Sequence, residues 1–303
     1  MLRSLLLYLS EKEFPKKFLT GHSWGRRLAA RFIAGESLED AVRAVRALNA
    51  EGFDATLDCL GESVHDAATA AEACRVYLGV LDRLAAEQLR SHVSVKLTQL
   101  GLAMDEQLAL KNMVALSERA RQLGNFIRID MESSAYTEST LRLFRELNAP
   151  REVVGVVIQS YLRRSEEDVR ELLRCGARIR LVKGAYQEPP ELAFPDKGDV
   201  DRNFVELMKM MLASDGYHAI ATHDERIIAT TCGFTRAAAI AADRFEFQML
   251  YGIRRQLQRD LLRQGYRVRV YVPYGVQWYA YFMRRLAERP ANLLFLLRNL
   301  FRA

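Results

Sequence analysis

From about residue 55 onward, short apolar or alternating runs recur along the chain, each followed by a stretch whose apolar positions fall at helical spacing. The runs are ATLDCL (55–60), VSVKL (93–97), FIRID (126–130), VVGVVIQ (153–159), RIRLVK (178–183), AIATH (219–223), FEFQML (245–250) and VRVYV (268–272). Short apolar or period-two runs predict strands, and apolar positions three and four apart predict helices between them. Gly124, Gly176, Gly216 and Gly265 stand just ahead of four of these strands, where glycine closes the preceding helix in the left-handed conformation. Asp105 and Ser165 stand where N-caps of the following helices belong. Strand starts lie about 23 to 40 residues apart, the length of one strand-plus-helix unit.

Eight such units in series predict an α/β fold, a closed TIM-like (β/α)8 barrel with N-terminal helices. Residues 1–52 read as the helical segment and 53–303 as the barrel. The last N-terminal helix carries a capping-box variant, Ser37 to Asp40, with Leu38, Val42, Val45 and Leu48 on one face and Gly52 at its end. A doubly wound open sheet competes, but its dinucleotide-binding form needs a G-x-G-x-x-G turn after the first strand, and LGESVHD has one glycine. The longest irregular stretch, QEPPELAFPDKGDVDRN (187–203), follows the fifth strand and is expected to overhang the face that carries function in such barrels.

Composition narrows the class. Half the residues are hydrophobic and Gly plus Pro number only 24 of 303, which allows a large core and excludes disorder or a stapled miniature scaffold. The net charge of +6 permits an anionic partner, yet the arginines come in pairs (163/164, 254/255, 284/285) with no basic run, so no nucleic acid is expected. Four cysteines without a C-x-x-C pair argue for a reduced, cytoplasmic setting and no structural metal. The N-terminal apolar run, Leu5 to Leu9, is too short for a signal core or a span. The C-terminal PANLLFLLRNLFRA reads as a closing helix packed on the fold. The alternative is peripheral association with the inner face of the membrane, but interfacial helices need a larger polar face.

In a barrel, polar residues at the C-terminal ends of strands surround the site. Here they are Asp58 with Glu62 beyond, Lys96, Asp130 then Glu132, Gln159, Arg180, Lys183 and Tyr186, Thr222, His223 and Asp224, Glu246 and Gln248, and Tyr271 and Tyr274. Lys96 lies in an apolar run, so its amine is neutral or paired. Asp130 is the structural partner to expect, and the functional readings are an imine-forming nucleophile, as in a barrel lyase, or a cation for a substrate carboxylate. Arg180 and Lys183 fall on opposite faces unless the strand ends between them; Glu246 or Asp130 is the expected structural partner of such cations. His223 on its own reads as a hydrogen-bonded core histidine more often than as a ligand. Tyr281, Arg284, Arg285 and Glu288 are spaced to share one helix face, a guanidinium fork beside an aromatic wall.

The segments RLVKGAY (180–186), ATHD (221–224), EFQMLYG (246–252), VYVPYG (270–275) and YFMRRLAER (281–289), with VSVKL and the D-x-L-G-E of Asp58 to Glu62, together resemble the proline dehydrogenase family. The chain length and RFIAGE (31–36) resemble its monofunctional bacterial branch. The resemblance implies a barrel holding FAD, oxidation of L-proline to Δ1-pyrroline-5-carboxylate, and electrons passed to a membrane quinone. It implies that Lys96, Arg284 and Arg285 bind the proline carboxylate, that Tyr271 and Tyr281 wall the ring, and that Glu288 lies near its far edge. By the same resemblance Arg180 sits close to the flavin and Asp130 beside both the flavin and Lys96, these two being the catalytic pair. Met131, Gln159, Lys183, Gly184, Ala185, Thr222 and His223 line the cofactor, and Glu62 gates the site by facing Arg284.

Overall fold

The structure is a computed structural model and describes residues 29–61, 64–147 and 153–288, with side chains described to 285. Eight parallel strands close into a barrel in chain order: β1 (Asp54–Cys59), β2 (Ser91–Val95), β3 (Ile127–Ile129), β4 (Val154–Gln159), β5 (Ile179–Val182), β6 (His218–Ala221), β7 (Phe245–Leu250) and β8 (Arg267–Tyr274). β8 returns to β1 with Asp58 opposite Pro273, and Asp58 also stands opposite Ser94 of β2. All eight predicted strands are present. Helix α1 (Leu38–Ala50) precedes the barrel, with the expected capping box formed by Ser37 and Asp40. Between strands run α2 (Ala67–Ala86), α3 (Glu106–Gln122), α4 (Thr137–Leu147), α5 (Ser165–Arg174), α6 (Lys197–Leu212), α7 (Glu225–Ala237) and α8 (Arg255–Arg263), and α9 (Trp278–Glu288) follows β8.

Two local expectations are corrected. Ser165 does not cap α5: it is the first helical residue, Arg164 occupies the cap position without a side-chain bond, and the Ser165 hydroxyl accepts from Asn203 of α6. Arg164 is instead held by both oxygens of Asp168 one turn on. The stretch 187–203 is irregular only to Asp196, whose carboxylate caps α6 from its first turn. The aspartates near its end that resemble loop residues in sequence therefore sit on a helix.

Strand alternation sends apolar residues such as Leu57, Val95, Ile129, Ile158, Leu181, Phe247 and Val270 into the large core cluster. The opposite phase is unusually polar, with Thr56, Asp58, Ser94, Arg128, Arg180, Glu246, Gln248 and Arg269 all buried. Buried charges persist only when paired or richly hydrogen-bonded. Arg269 donates from Nε to both Glu246 oxygens at 2.9 and 3.1 Å and from Nη1 to the Ala55 carbonyl. Burial would raise the Glu246 carboxyl, but Arg269 outweighs it and the group stays ionised below its ordinary value. Arg128 crosses to the Val156 and Arg178 carbonyls, where Gly155 leaves it room: a Cβ there would stand 2.5 Å from its Nη1. A second cluster joins Phe32 and Ile33 to Trp278 and Phe282 of α9, and the Trp278 indole donates to Glu36 at 2.9 Å. That packing seats α9 over one side of the barrel mouth.

Candidate active site

At the C-terminal ends of the strands a cavity of about 1480 Å³ opens. Its floor is a carboxylate, Asp130, at the end of β3. One oxygen accepts from Arg180 Nη1 at 2.7 Å and the other from the Tyr271 hydroxyl at 2.9 Å. The Arg180 guanidinium also lies over the Tyr271 ring, 5.4 Å from its centroid. Burial, and then the charges of Asp130 and Asp58, push the Tyr271 phenol well above its ordinary value. Tyr271 therefore remains a donor.

Lys96 follows β2 and reaches Asp58 at 2.8 Å, with Asp130 at 3.9 Å. The expected Asp130 partner is thus the more distant of two; Asp58, 1% exposed, is the closer. Burial pulls the ammonium toward neutrality, but the two carboxylates overcome it and hold the lysine above its ordinary value. A lysine held protonated in this way is a poor imine-forming nucleophile.

β5 ends at Val182, so Arg180 and Lys183 are released from strand alternation and both line the cavity. Lys183 pairs with Asp201 at 2.5 Å and Asp224 at 2.9 Å, on α6 and at the N-cap of α7. Neither Glu246 nor Asp130 serves Lys183. Gly184 adopts φ +111°, and a Cβ on it would fall 2.3 Å from the Tyr161 ring. Only glycine fits that turn. His223 accepts the Leu250 N–H on Nε2 at 2.9 Å, which ties the end of β6 to the end of β7. The Gln159 amide donates to the Glu132 carbonyl at 2.9 Å.

The cavity brings together Lys96, Asp130, Met131, Gln159, Arg180, Lys183, Gly184, Ala185, Thr222, His223, Tyr271, Tyr281, Arg284 and Arg285. Arg285 lies over the Tyr281 ring at 5.2 Å. Glu62 and the Glu288 side chain lie outside the described residues. Sequence reasoning did not single out Asp201, which lines the same cavity, because its surroundings read as loop; Asp58 was visible as a strand-end carboxylate but its bond to Lys96 was not. Among the described residues there is no cluster of three metal-ligating side chains.

A barrel with a charged, aromatic-walled mouth of this size has the form of a small-molecule enzyme. Comparison with known proteins specifies the chemistry. The family model "Proline dehydrogenase" matches residues 41–298. Proline dehydrogenase 1 of Bacillus subtilis (strain 168) is 45% identical over 304 residues, covering 99% of each chain. The proline dehydrogenase of Deinococcus radiodurans is 43% identical over 303 residues, covering 98% of this chain and 97% of its own. Among solved structures, proline utilization A from Bdellovibrio bacteriovorus, inactivated by N-propargylglycine, superposes with a TM-score of 0.82 at 28% identity, over 86% of this chain and 32% of that larger one. The chain belongs to the proline dehydrogenase family and is a proline-oxidising enzyme.

Proposed function

We propose that the cavity holds FAD together with L-proline, that the ring is oxidised to Δ1-pyrroline-5-carboxylate by hydride transfer to the flavin, and that the electrons leave to a membrane quinone. One observation carries the cofactor reading. Arg180 is 4% exposed, is fixed by Asp130, and keeps an Nε that has no hydrogen-bond partner among the described residues. A buried guanidinium N–H calls for an acceptor in its own plane, and a nitrogen or oxygen at the edge of an electron-rich ring answers that need. Room is also present: about 1480 Å³ exceeds the roughly 300–1,000 Å³ of an ordinary small-ligand pocket, and Gly184 and Ala185 put no bulky side chain on the wall.

The residues that would hold the cofactor are Met131, Gln159, Arg180, Lys183, Gly184, Ala185, Thr222 and His223. When bound, the flavin supplies a two-electron acceptor for the hydride. Everything else is done by side chains. Lys96, Arg284 and Arg285 take the substrate carboxylate, a fork of guanidiniums backed by an ammonium that Asp58 and Asp130 hold protonated. Tyr271 and Tyr281 wall the ring. Asp130, through its bonds to Arg180 and Tyr271, fixes the charge beside the flavin and the aromatic wall beside the substrate at once. Proline that enters with a neutral amine needs no general base in the hydride step, since loss of the hydride alone gives the iminium.

We extend the same reading to organisation and location: a barrel of residues 53–303 after a helical segment of 1–52, inside the cell, with peripheral contact where a quinone enters. No helix among the described residues is long and apolar enough to cross a membrane. Deletion from Pro290 onward, followed by liposome flotation, tests that contact. The central test is the visible spectrum. A yellow protein that bleaches on anaerobic addition of L-proline is expected, with a raised KM in Arg284→Ala and Arg285→Ala. A colourless protein that FAD cannot reconstitute overturns the reading.

A further inference from the structure

Directly after Lys96 the chain makes a single 3-10 turn, Leu97–Leu100, with Lys96 at its N-cap. All four turn residues are buried, and the turn is pinned from two sides. On one side Glu132 accepts the Thr98 N–H at 3.1 Å and the Thr98 hydroxyl at 2.6 Å. On the other, Gln99 donates to the Cys59 carbonyl at 3.3 Å and accepts from the Tyr77 hydroxyl at 2.8 Å. Cys59 adjoins Asp58, and Glu132 stands two residues beyond Asp130. The backbone of the turn is therefore anchored to the same two chain segments whose carboxylates flank the Lys96 ammonium.

Glu132 is not otherwise explained. It is 8% exposed, and burial raises its pKa; it forms no ion pair among the described residues, and its carboxylate faces Thr98. A buried carboxylate is costly to keep for stability alone. An apolar residue would fill the space, but could not grip both donors of one residue.

We propose that Glu132 is a positioning residue: by clamping both donors of Thr98 it sets where Lys96 holds its ammonium, and so governs how tightly the substrate carboxylate is bound. The proposal rests on the assignment of Lys96 to that carboxylate. Lys96 has a long, flexible stem, and its own two ion pairs fix its head only if its Cα is also fixed. A loosened turn lets the ammonium shift from the position it holds between Asp58 at 2.8 Å and Asp130 at 3.9 Å, out of line with the substrate carboxylate. The consequence is a loss of binding with the hydride step largely intact, hence a raised KM with a nearly constant kcat. Glu132→Gln retains an acceptor for the Thr98 N–H, and its amide can donate to the Thr98 hydroxyl.

The experiment measures KM and kcat for L-proline in the flavin-loaded enzyme, in Glu132→Ala, Glu132→Gln, Thr98→Val and Lys96→Ala, and in the Lys96→Ala/Glu132→Ala double variant. The expected result is a KM rise of about tenfold in Glu132→Ala, a smaller one in Thr98→Val, rescue in Glu132→Gln, and kcat within about threefold throughout this set of three. In the Lys96→Ala background the further effect of Glu132→Ala should fall below about twofold, because residues acting through one group are not additive. Equal effects in both backgrounds, or a lowered melting temperature with KM unchanged, overturn the proposal. If Glu132→Ala does not fold, Thr98→Val decides, and an unchanged KM there overturns it. An unchanged KM in Lys96→Ala would instead overturn the assignment of Lys96 itself.

Discussion

Arg180 reaches Asp130 from Nη1 at 2.7 Å, from β5 to the end of β3, and this bond fixes the guanidinium at the floor of the cavity. Its Nε is buried and has no hydrogen-bond partner among the described residues. Breaking the bond without removing the arginine should blur its aim while keeping its charge. Asp130→Ala is expected to lower kcat by roughly 10- to 100-fold, the worth of a charge-assisted hydrogen bond or two. Single-turnover bleaching of the flavin under anaerobic conditions checks this; an unchanged bleaching rate would remove Asp130 from the catalytic pair.

Tyr271 serves Asp130 through its hydroxyl and Arg180 through its ring, and the two contributions are separable. Tyr271→Phe keeps the ring beneath the guanidinium and loses only the 2.9 Å bond. A loss of roughly 1–2 kcal/mol, about 5- to 30-fold in kcat/KM, is expected. Tyr271→Ala should cost more, because an aromatic wall of the cavity and the cation–π contact go with it. Steady-state kinetics on the two variants side by side makes the comparison, and equal losses would show that the ring does nothing.

At Gly184 the chain passes too close to Tyr161 for any side chain. Gly184→Ala places a methyl where the Tyr161 ring stands and strains a φ of +111°, a backbone cost of order 1–3 kcal/mol before any clash. The turn lies between Lys183 and Ala185 on the cavity wall. Expected together are a lowered melting temperature and a reduced flavin content of the purified protein. Pairing with Tyr161→Ala should restore part of both.

His218 is fully buried in β6, accepting the Ile179 N–H on Nδ1 and meeting the Ser214 hydroxyl through Nε2. Burial, helped by the charges of Arg128, Arg178 and Arg244, lowers its pKa from 6.5 to about 4. The unfolded chain therefore binds a proton between these values that the folded protein refuses. Stability on this account is fully present above about 6.5 and is lost as the pH falls toward about 4, by up to about 3 kcal/mol at roughly 1.4 kcal/mol per pH unit. Urea midpoints measured across that window should fall in the parent and fall less in His218→Asn. Parallel slopes would mean other groups carry the acid sensitivity.

The strand pattern by itself determined the architecture. Period-two runs between capped helical stretches can bury both faces of their strands only if the sheet is parallel and covered, and eight of them close. The strand ends were legible for the same reason, since a residue such as Arg180 or Tyr271 near the end of a buried strand has few places to point. The motif residues were visible as a set, and the described members of that set line one cavity. What tertiary structure alone decided was pairing. Lys96 chose Asp58 over Asp130 because the register of β1 against β2 brings Asp58 beside Ser94, two residues before the lysine. Ser165 became a tether for Asn203 instead of a cap because α6 packs beside α5. Asp201 reached Lys183 only because the end of an apparent loop was already helix. Periodicity is a local property and survives in one dimension; which of two carboxylates a lysine meets depends on distances between strands, which a sequence does not record.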